Sequence, residues 1–197
     1  MKKIGLFYGT ATAKTAAVAK KIKEAFGEDI VDIIPVEQSE EKEFNAYEYI
    51  IAGSSTWFDG ELPTYWDETL PELTGLDLTD KKVALFGLGD QKKYPDNFAD
   101  GIGILAKAFT DRGATLVGRT SPEGYHFNRS GALQNGQFLG LILDIENQSN
   151  KTDDSGKAYS PRRHERSGQN PADTQTPHID AQRRSGFFTG KQRIEIP

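Results

Sequence analysis

The sequence predicts an α/β fold, a doubly wound parallel sheet with helices on both faces. Short runs rich in Ile, Val, Leu and Phe alternate with longer stretches in which apolar residues recur every three or four positions. The short runs are apolar almost throughout, which is typical of strands buried on both faces of a parallel sheet. Alternation of such strands with helices favours parallel strands joined by crossover helices.

The predicted elements follow in order along residues 2–144. Strands are expected at 2–9, 29–36, 47–54 and 81–88, and a fifth strand begins at 114–118 and continues at 137–144 after a polar excursion. Three helices are predicted between the strands from apolar residues at helical spacing. These residues are Val18, Ile22, Ala25 and Phe26 in the first helix, Trp66, Leu70 and Leu73 in the second, and Phe98, Ile102, Leu105 and Phe109 in the third. Gly27 and Gly113 end the outer two helices, and Pro63 begins the middle one. The acidic run 37–43 is interpreted as a solvated loop or helix face.

Composition limits the classes of function. The 197 residues are 36% hydrophobic and 27% charged, enough apolar material for one packed core. The chain has no cysteine, which excludes disulfides, thiol catalysis and Cys-ligated metals. Its three histidines are scattered, so no catalytic or metal-binding residue is predicted. The basic start and short apolar run are interpreted as a first strand and not a signal peptide, and no stretch is long enough for a membrane helix. We therefore expect a cytoplasmic protein.

The chain divides near residue 154. Its net charge of −5 combines an acidic segment, 1–154, with a basic one, 155–197. The second segment loses apolar periodicity and contains Pro161 and Pro171. We predict a largely disordered tail whose arginines are solvated and do not bind nucleic acid.

Function is expected in the loops that follow the strands, because ligands of such sheets bind at the carboxyl ends of the strands. The loop 9–15, GTATAKT, offers hydroxyls and free N–H groups at a helix N-terminus, which suits either a phosphate or an ordinary Thr-capped helix. The loop 54–62, SSTWFDGEL, offers Trp57 either as a stacking surface or as core. The loop 87–98 adds Tyr94, while Asp96 or Asn97 could cap the next helix. A flat aromatic ligand with a phosphate would use all three loops at once.

The loops GTATAKT, STWFDGELP and GLGDQ..YPDNF, in this order and spacing, resemble those of the flavodoxin family. Residues 121–149 are similar to the insertion that splits the fifth strand in long-chain members, so the resemblance covers residues 1–154. It implies a five-stranded parallel sheet of order 2-1-3-4-5 and non-covalently bound FMN.

The resemblance also implies the residues of an FMN site. Thr10, Ala11, Thr12, Ala13, Lys14 and Thr15 would hold the phosphate, with the Lys14 side chain turned to solvent. The second loop would contribute Ser55, Thr56, Trp57, Phe58, Asp59 and Gly60, with Thr56 beside the ribityl chain and Trp57 over one flavin face. Tyr94 would cover the other face, Leu88, Gly89 and Asp90 would bond the pyrimidine edge with Asn97 nearby, and Glu146 would lie near the ribityl chain. The Phe58–Asp59 peptide would turn its carbonyl toward flavin N5 on one-electron reduction.

The function implied is that of a low-potential one-electron carrier and not of an enzyme. It would act as a monomer between basic-patch reductases and acceptors, without a membrane. Three alternatives stay open: an FMN-dependent NAD(P)H or quinone reductase of the same fold, a phosphate-binding receiver domain, and a defective chain with weakened FMN binding.

The chain departs from the family at several positions. Ala13 stands where a glycine is usual, at a cost of about 1 kcal/mol if that position needs a positive φ. Ser54 and Ser55 replace a more usual proline, a change we expect to be tolerated. Arg119 and Thr120 replace aromatics, so altered core packing is expected there. The family's C-terminal helix is replaced by the tail 155–197, for which we hypothesise a frameshift or a fusion near codon 155. An intact reading frame shared with close relatives would refute that hypothesis.

Overall fold

The computed structural model describes residues 3–10 and 12–148, together with the backbone of 186–189 and 192–195. A parallel sheet runs through the first two ranges. Its strands are β1 (Ile4–Tyr8), β2 (Val31–Pro35), β3 (Tyr49–Ser55), β4 (Lys82–Leu88) and β5 (Thr115–Val117), in the spatial order β2-β1-β3-β4-β5. The predicted doubly wound sheet and its strand order are confirmed.

The fifth position of the sheet is shared by two segments, as the split-strand prediction requires. The first half of β4 pairs with β5, and Phe86–Leu88 pairs in parallel with a later strand, Leu141–Leu143. Between them a two-stranded hairpin forms from β6 (Leu133–Gln134) and β7 (Gln137–Phe138), so the later strand is β8. The predicted single run 137–144 is therefore divided in two. Gly140 lies at the division, where an added Cβ would come within 2.3 Å of the Leu85 carbonyl oxygen.

Four helices cover the sheet, α1 (Ala13–Phe26), α2 (Glu41–Asn45), α3 (Thr64–Glu72) and α4 (Asp100–Thr110), and a short 3₁₀ turn spans Val36–Gln38. Gly27 ends α1 as predicted, with φ 114° and its N–H donating to the Lys23 carbonyl. Ala25, expected on the apolar face of α1, is exposed, and Ala19 is buried in its place.

Helix α4 begins without the predicted polar cap. The residue before it is Ala99, with a left-handed φ of 58° and no side-chain capping bond. Asp96 instead accepts a bond from Asn128 at 2.9 Å, and the Asn97 amide is used elsewhere. Neither Asp96 nor Asn97, which could have capped this helix, does so, because the Asp96 carboxylate is bonded by the insertion and the Asn97 amide by the loop 54–62.

The core lies on both faces of the sheet. On one face, Val18 and Ile22 of α1 are buried in a cluster with strand residues. On the other, Trp66 of α3 and Phe109 of α4 are fully buried and meet edge to face with ring centroids 6.0 Å apart. The two layers fix the helices and therefore the loops that connect them to the strands.

The insertion was predicted at 121–149, and in the structure residues 118–140 separate β5 from β8 and pack through their own aromatic cluster. Rings of Tyr125, Phe127 and Phe138 lie 5.6, 5.1 and 6.2 Å from the ring of Phe98. Thr120, which replaces an expected aromatic, is 3% exposed and donates to the Gly140 carbonyl at 2.6 Å. The altered packing expected here takes the form of a buried hydroxyl whose hydrogen bond is satisfied.

Two short strands of the tail are described, β9 (Gly186–Thr189) and β10 (Gln192–Glu195), which pair antiparallel. These strands contradict the predicted lack of regular structure at those residues. The sequence did not predict them because a run of four residues is too short to show a clear periodic pattern. The rest of the predicted tail, and the replaced C-terminal helix, lie outside the described residues. In the part of the chain that is described, every helix is too short or too polar to cross a membrane.

Candidate functional site

A cleft opens at the carboxyl ends of the strands, and most of the residues predicted from the sequence line it. These are Thr12, Lys14, Ser55, Thr56, Trp57, Leu88, Gly89, Asp90, Tyr94 and Glu146. Ile145, which was not predicted, also lines the cleft. The remaining predicted residues lie around the cleft without lining it: Thr10, Ala13, Thr15, Phe58, Asp59, Gly60 and Asn97. Ala11 lies outside the described residues.

The first loop forms the hydroxyl-rich end of the cleft. Thr12 precedes α1, and its Oγ1 lies 2.5 Å from Oγ1 of the buried Thr15. Thr12 makes no capping bond to the backbone of α1, so the helix N-terminus is not satisfied by that side chain. Such an N-terminus attracts anions through its free N–H groups and the helix dipole. Ala13 is the first residue of α1 and has no positive φ, so alanine causes no strain of that kind.

Thr10 has a partner that the sequence analysis did not identify. Oε1 of Glu37 accepts a hydrogen bond from the Thr10 backbone N–H at 2.7 Å and from the Thr10 hydroxyl at 3.0 Å. Glu37 lies in the 3₁₀ turn after β2, in the run interpreted as a solvated face. Its side chain is exposed, but it reaches the loop after the neighbouring strand.

The second loop is a tight turn that holds Trp57 at the wall of the cleft. Trp57 and Glu61 exchange two backbone hydrogen bonds of 2.9 and 2.8 Å, and Gly60 donates to the Trp57 carbonyl at 3.1 Å. Gly60 has φ 104°, which glycine adopts without strain, but Phe58 has φ 43°, which is costly for an aromatic residue. The Phe58 ring is 75% exposed. Trp57 is half-buried and edge-on to Tyr65, with centroids 6.5 Å apart.

The third loop is organised by Asp90. Its carboxylate accepts bonds from the backbone N–H groups of Lys92 and Lys93, at 3.1 and 2.9 Å, and from the Asn147 amide at 2.8 Å. Burial alone raises the pKa of Asp90, but these bonds outweigh it and hold the pKa below its ordinary value. The Asp90 carbonyl also accepts from the Tyr94 N–H at 2.9 Å, which fixes Tyr94 with its ring 45% exposed.

Asp144, at the end of β8, supports this loop from below, and sequence analysis did not select it. It is 3% exposed and accepts from the Gln91 N–H at 3.2 Å and from the Asn147 N–H at 3.1 Å. The Asn147 amide donates to Asp144 at 3.0 Å and also to Asp90. A short chain of hydrogen bonds therefore links β8 to the cleft wall.

Two further contacts join loops across the cleft. Asn97 Nδ2 donates to the Asp59 carbonyl at 2.7 Å, so this predicted residue holds the second loop and not the cleft itself. Lys14 forms an ion pair with Glu146, although both side chains are about half exposed. The Lys14 side chain was expected to point to solvent, but it crosses from the first loop to the segment after β8.

The arrangement suits an elongated ligand that is anionic at one end and aromatic at the other. Thr12 of the first loop lines the cleft together with the side chains of Trp57 and Tyr94. Ser55 lines the cleft, but its hydroxyl is buried and interacts with the hydroxyl of Tyr65, whose pKa is raised by burial. No group of three or more metal-ligating residues occurs in the described ranges.

Comparisons with known proteins agree with this geometry. The family model for flavodoxin matches residues 6–155. A flavodoxin of Nostoc sp. strain PCC 7120 is 50% identical over 158 residues, which are 80% of this chain and 93% of that protein. A flavodoxin of Haemophilus influenzae is 40% identical over 150 residues, 76% of this chain and 86% of that one. The crystal structure of Fusobacterium nucleatum flavodoxin bound to flavin mononucleotide superposes with a TM-score of 0.73 at 36% identity, covering 77% of this chain and 90% of that one.

Proposed function

The chain belongs to the flavodoxin family, and we propose that it carries single electrons on a non-covalently bound FMN. One observation supports this most directly: a hydroxyl-lined helix N-terminus and two aromatic side chains, drawn from three separate loops, line one cleft. A solved structure at 36% identity is described as bound to flavin mononucleotide. The protein is an electron carrier, as its named relatives indicate, and its partners are redox proteins.

The residues of the cleft fit the parts of FMN. We assign the phosphate to the loop that contains Thr10, Thr12 and Thr15, where neutral hydroxyls and the helix N-terminus bind an anion. We assign the flavin ring to the space beside Trp57 and Tyr94, which would stack on it. Ser55 lines the same cleft and would lie beside the ligand.

The assignment of the remaining predicted residues follows the same division. Backbone groups at 88–90 would bond the pyrimidine edge, and Thr56 and Glu146 would lie near the ribityl chain. Phe58, Asp59 and Gly60 form the turn next to Trp57, where the Phe58 carbonyl would accept a hydrogen bond from the protonated N5 of the reduced flavin. The Asn97 amide would limit how this turn moves, because it already holds the Asp59 carbonyl.

Bound FMN would supply the one-electron redox chemistry, and the protein would set its potential. Asp90 is held ionised by three hydrogen bonds, and Glu146 lies across the same cleft. These carboxylates oppose the gain of a further negative charge on a ring beside them. Trp57 and Tyr94 would exclude water from the ring and strengthen that effect. The expected result is a low potential for full reduction.

The charge of the chain indicates the kind of redox partner that it would bind. The segment 1–154 is acidic, so we propose partners with basic patches and association rates that fall as salt rises. We propose also that the protein is a cytoplasmic monomer in which residues 1–154 form the FMN domain. Stopped-flow measurements at several ionic strengths would test the salt dependence of association. Size-exclusion chromatography would test whether the protein is a monomer.

The experiment that tests the function is a titration of the apoprotein with FMN, followed by absorption and flavin fluorescence. Quenching of FMN fluorescence at a one-to-one ratio and a structured flavin spectrum are expected. The alternative, an FMN-dependent quinone reductase, would oxidise NADPH in the presence of a quinone and without a partner protein. Steady-state NADPH oxidation under those conditions therefore serves as the control. Failure to quench FMN at any ratio would refute the proposed function.

A further inference from the structure

We propose that Glu37 sets the selectivity of this site between FMN and riboflavin, the same flavin without the phosphate. The Glu37 carboxylate occupies hydrogen-bond donors that the FMN phosphate would use, so it weakens FMN binding and leaves riboflavin binding unaffected. This inference rests on the proposed function and names a residue that the resemblance does not assign.

The register of the sheet produces the contact. In the β1–β2 pair, Tyr8 lies opposite Pro35. Thr10 and Glu37 each follow two residues later, at the same edge of the sheet. The chain leaves β2 in a 3₁₀ turn, Val36–Gln38, which directs Glu37 toward the loop after β1. Strand pairing therefore places the backbone of Glu37 beside Thr10, and the exposed Glu37 side chain completes the contact.

The contact has the chemistry of an anion in a phosphate site. One oxygen of Glu37 accepts both the backbone N–H and the hydroxyl of Thr10, at 2.7 and 3.0 Å. A phosphate oxygen is also an anionic acceptor and would require the same two donors. The donors cannot serve both acceptors in full, and the two negative charges repel each other at this distance. FMN binding must therefore displace Glu37 or tolerate it.

Neighbouring groups do not remove this competition. Lys14 is the cation within the loop 9–15, but its ammonium group is already paired with Glu146. The Glu37 side chain is exposed, so it can turn into water when it is displaced. The competition should then reduce FMN affinity without abolishing it. Riboflavin lacks the anionic phosphate that competes with Glu37 for the donors of Thr10, so its binding leaves the contact with Glu37 in place.

The test compares three full-length apoproteins: wild type, Glu37→Gln and Glu72→Gln. Glu72 is the exposed last residue of α3 and controls for the change in net charge. Dissociation constants for FMN and for riboflavin are measured by quenching of flavin fluorescence. For Glu37→Gln we expect FMN to bind about tenfold more tightly, as when one like charge leaves a partly hydrated anion site, with riboflavin changed by less than about twofold. For Glu72→Gln we expect neither constant to change.

The outcomes separate the inference from the proposed function. A wild type that quenches neither flavin would refute the function and the inference together. A wild type that binds FMN, with an unchanged ratio of the two constants in Glu37→Gln, would refute the inference alone. Equal tightening of both flavins would also refute it, because that result indicates a general effect on the fold. Independently of flavin, the Thr10 amide proton resonance should move upfield in Glu37→Ala apoprotein, whose side chain has no acceptor, and an unmoved resonance would show that the contact is absent in solution.

Discussion

Replacement of Asp144 by asparagine should destabilise the protein and loosen the wall of the cleft. Asp144 is 3% exposed, and its carboxylate accepts from the Gln91 N–H and from the backbone and side-chain N–H groups of Asn147, at 3.0 to 3.2 Å. Asparagine is nearly the same size, so the perturbation is in hydrogen bonding and charge and not in packing.

The magnitude follows from the number of acceptors lost. An asparagine side chain offers one acceptor oxygen where the carboxylate offers two, and its NH₂ group would face donors already pointing inward. Hydrogen bonds to a charged group contribute about 1.5–3 kcal/mol each, and a buried donor left unsatisfied costs about 1–3 kcal/mol. We expect the free energy of unfolding to fall by about 2–3 kcal/mol, which corresponds to a melting temperature lower by roughly 5–10 °C.

Urea denaturation of the full chain, followed by far-UV circular dichroism, measures this change. Asp29→Asn is the matched control, since Asp29 is exposed in the turn between α1 and β2 and should shift the free energy by less than about 0.5 kcal/mol. Asp144→Asn should also bind FMN more weakly than wild type, because Asn147 links Asp144 to Asp90 at the cleft. A stability of Asp144→Asn equal to that of the control would show that this network does not support the loop.

Three further predictions concern acid stability, packing and stacking. Because hydrogen bonds hold the pKa of Asp90 low in the folded state, its stabilisation is complete above the ordinary carboxyl pKa and is lost as pH falls through the lowered value. Asp90→Asn should therefore flatten the acid limb of unfolding free energy measured between about pH 2 and pH 5. Gly103→Ala places a Cβ 2.3 Å from the Gly131 carbonyl oxygen and should cost about 2 kcal/mol in urea denaturation, whereas Ile104→Ala, at a 43% exposed position, should cost less than about 1 kcal/mol. Tyr94→Ala should raise the FMN dissociation constant tenfold or more in the fluorescence titration and leave stability within about 0.5 kcal/mol; an unchanged constant would contradict the stacking assignment.

The strands and the position of the site could be predicted because their signals are local. Apolar runs such as the one that became β3 identify buried strands without knowledge of their neighbours. Once the sheet is parallel, the loops after β1, β3 and β4 must meet at one edge. The aromatic and hydroxyl residues of those loops then fall together with no further information.

The contacts that hold the site could not be predicted in the same way. Asp144 and Gln91 are 53 residues apart, and their hydrogen bond depends on β8 pairing with the second half of β4. The start of α4 depends on the insertion, since the Phe98 N–H donates to the Arg129 carbonyl before the helix begins. The contact of Glu37 could be predicted only in part. Its place opposite Thr10 follows from the register of β1 and β2, but the acidic sequence around it indicates only a solvated side chain.

Charge explains why the proposed phosphate end of the site would rely on neutral groups. The Asp90 carboxylate, which would lower the flavin potential, would also repel an incoming phosphate. A free lysine in the loop would offset that repulsion, but Lys14 is paired with Glu146 and so contributes little net positive charge. Affinity for the phosphate must then come from the threonine hydroxyls and the N-terminus of α1, whose donors are directional and are only weakly screened by salt at this short range. Any carboxylate that occupies one of those donors, as Glu37 does at Thr10, has a disproportionate effect on which flavin the protein retains.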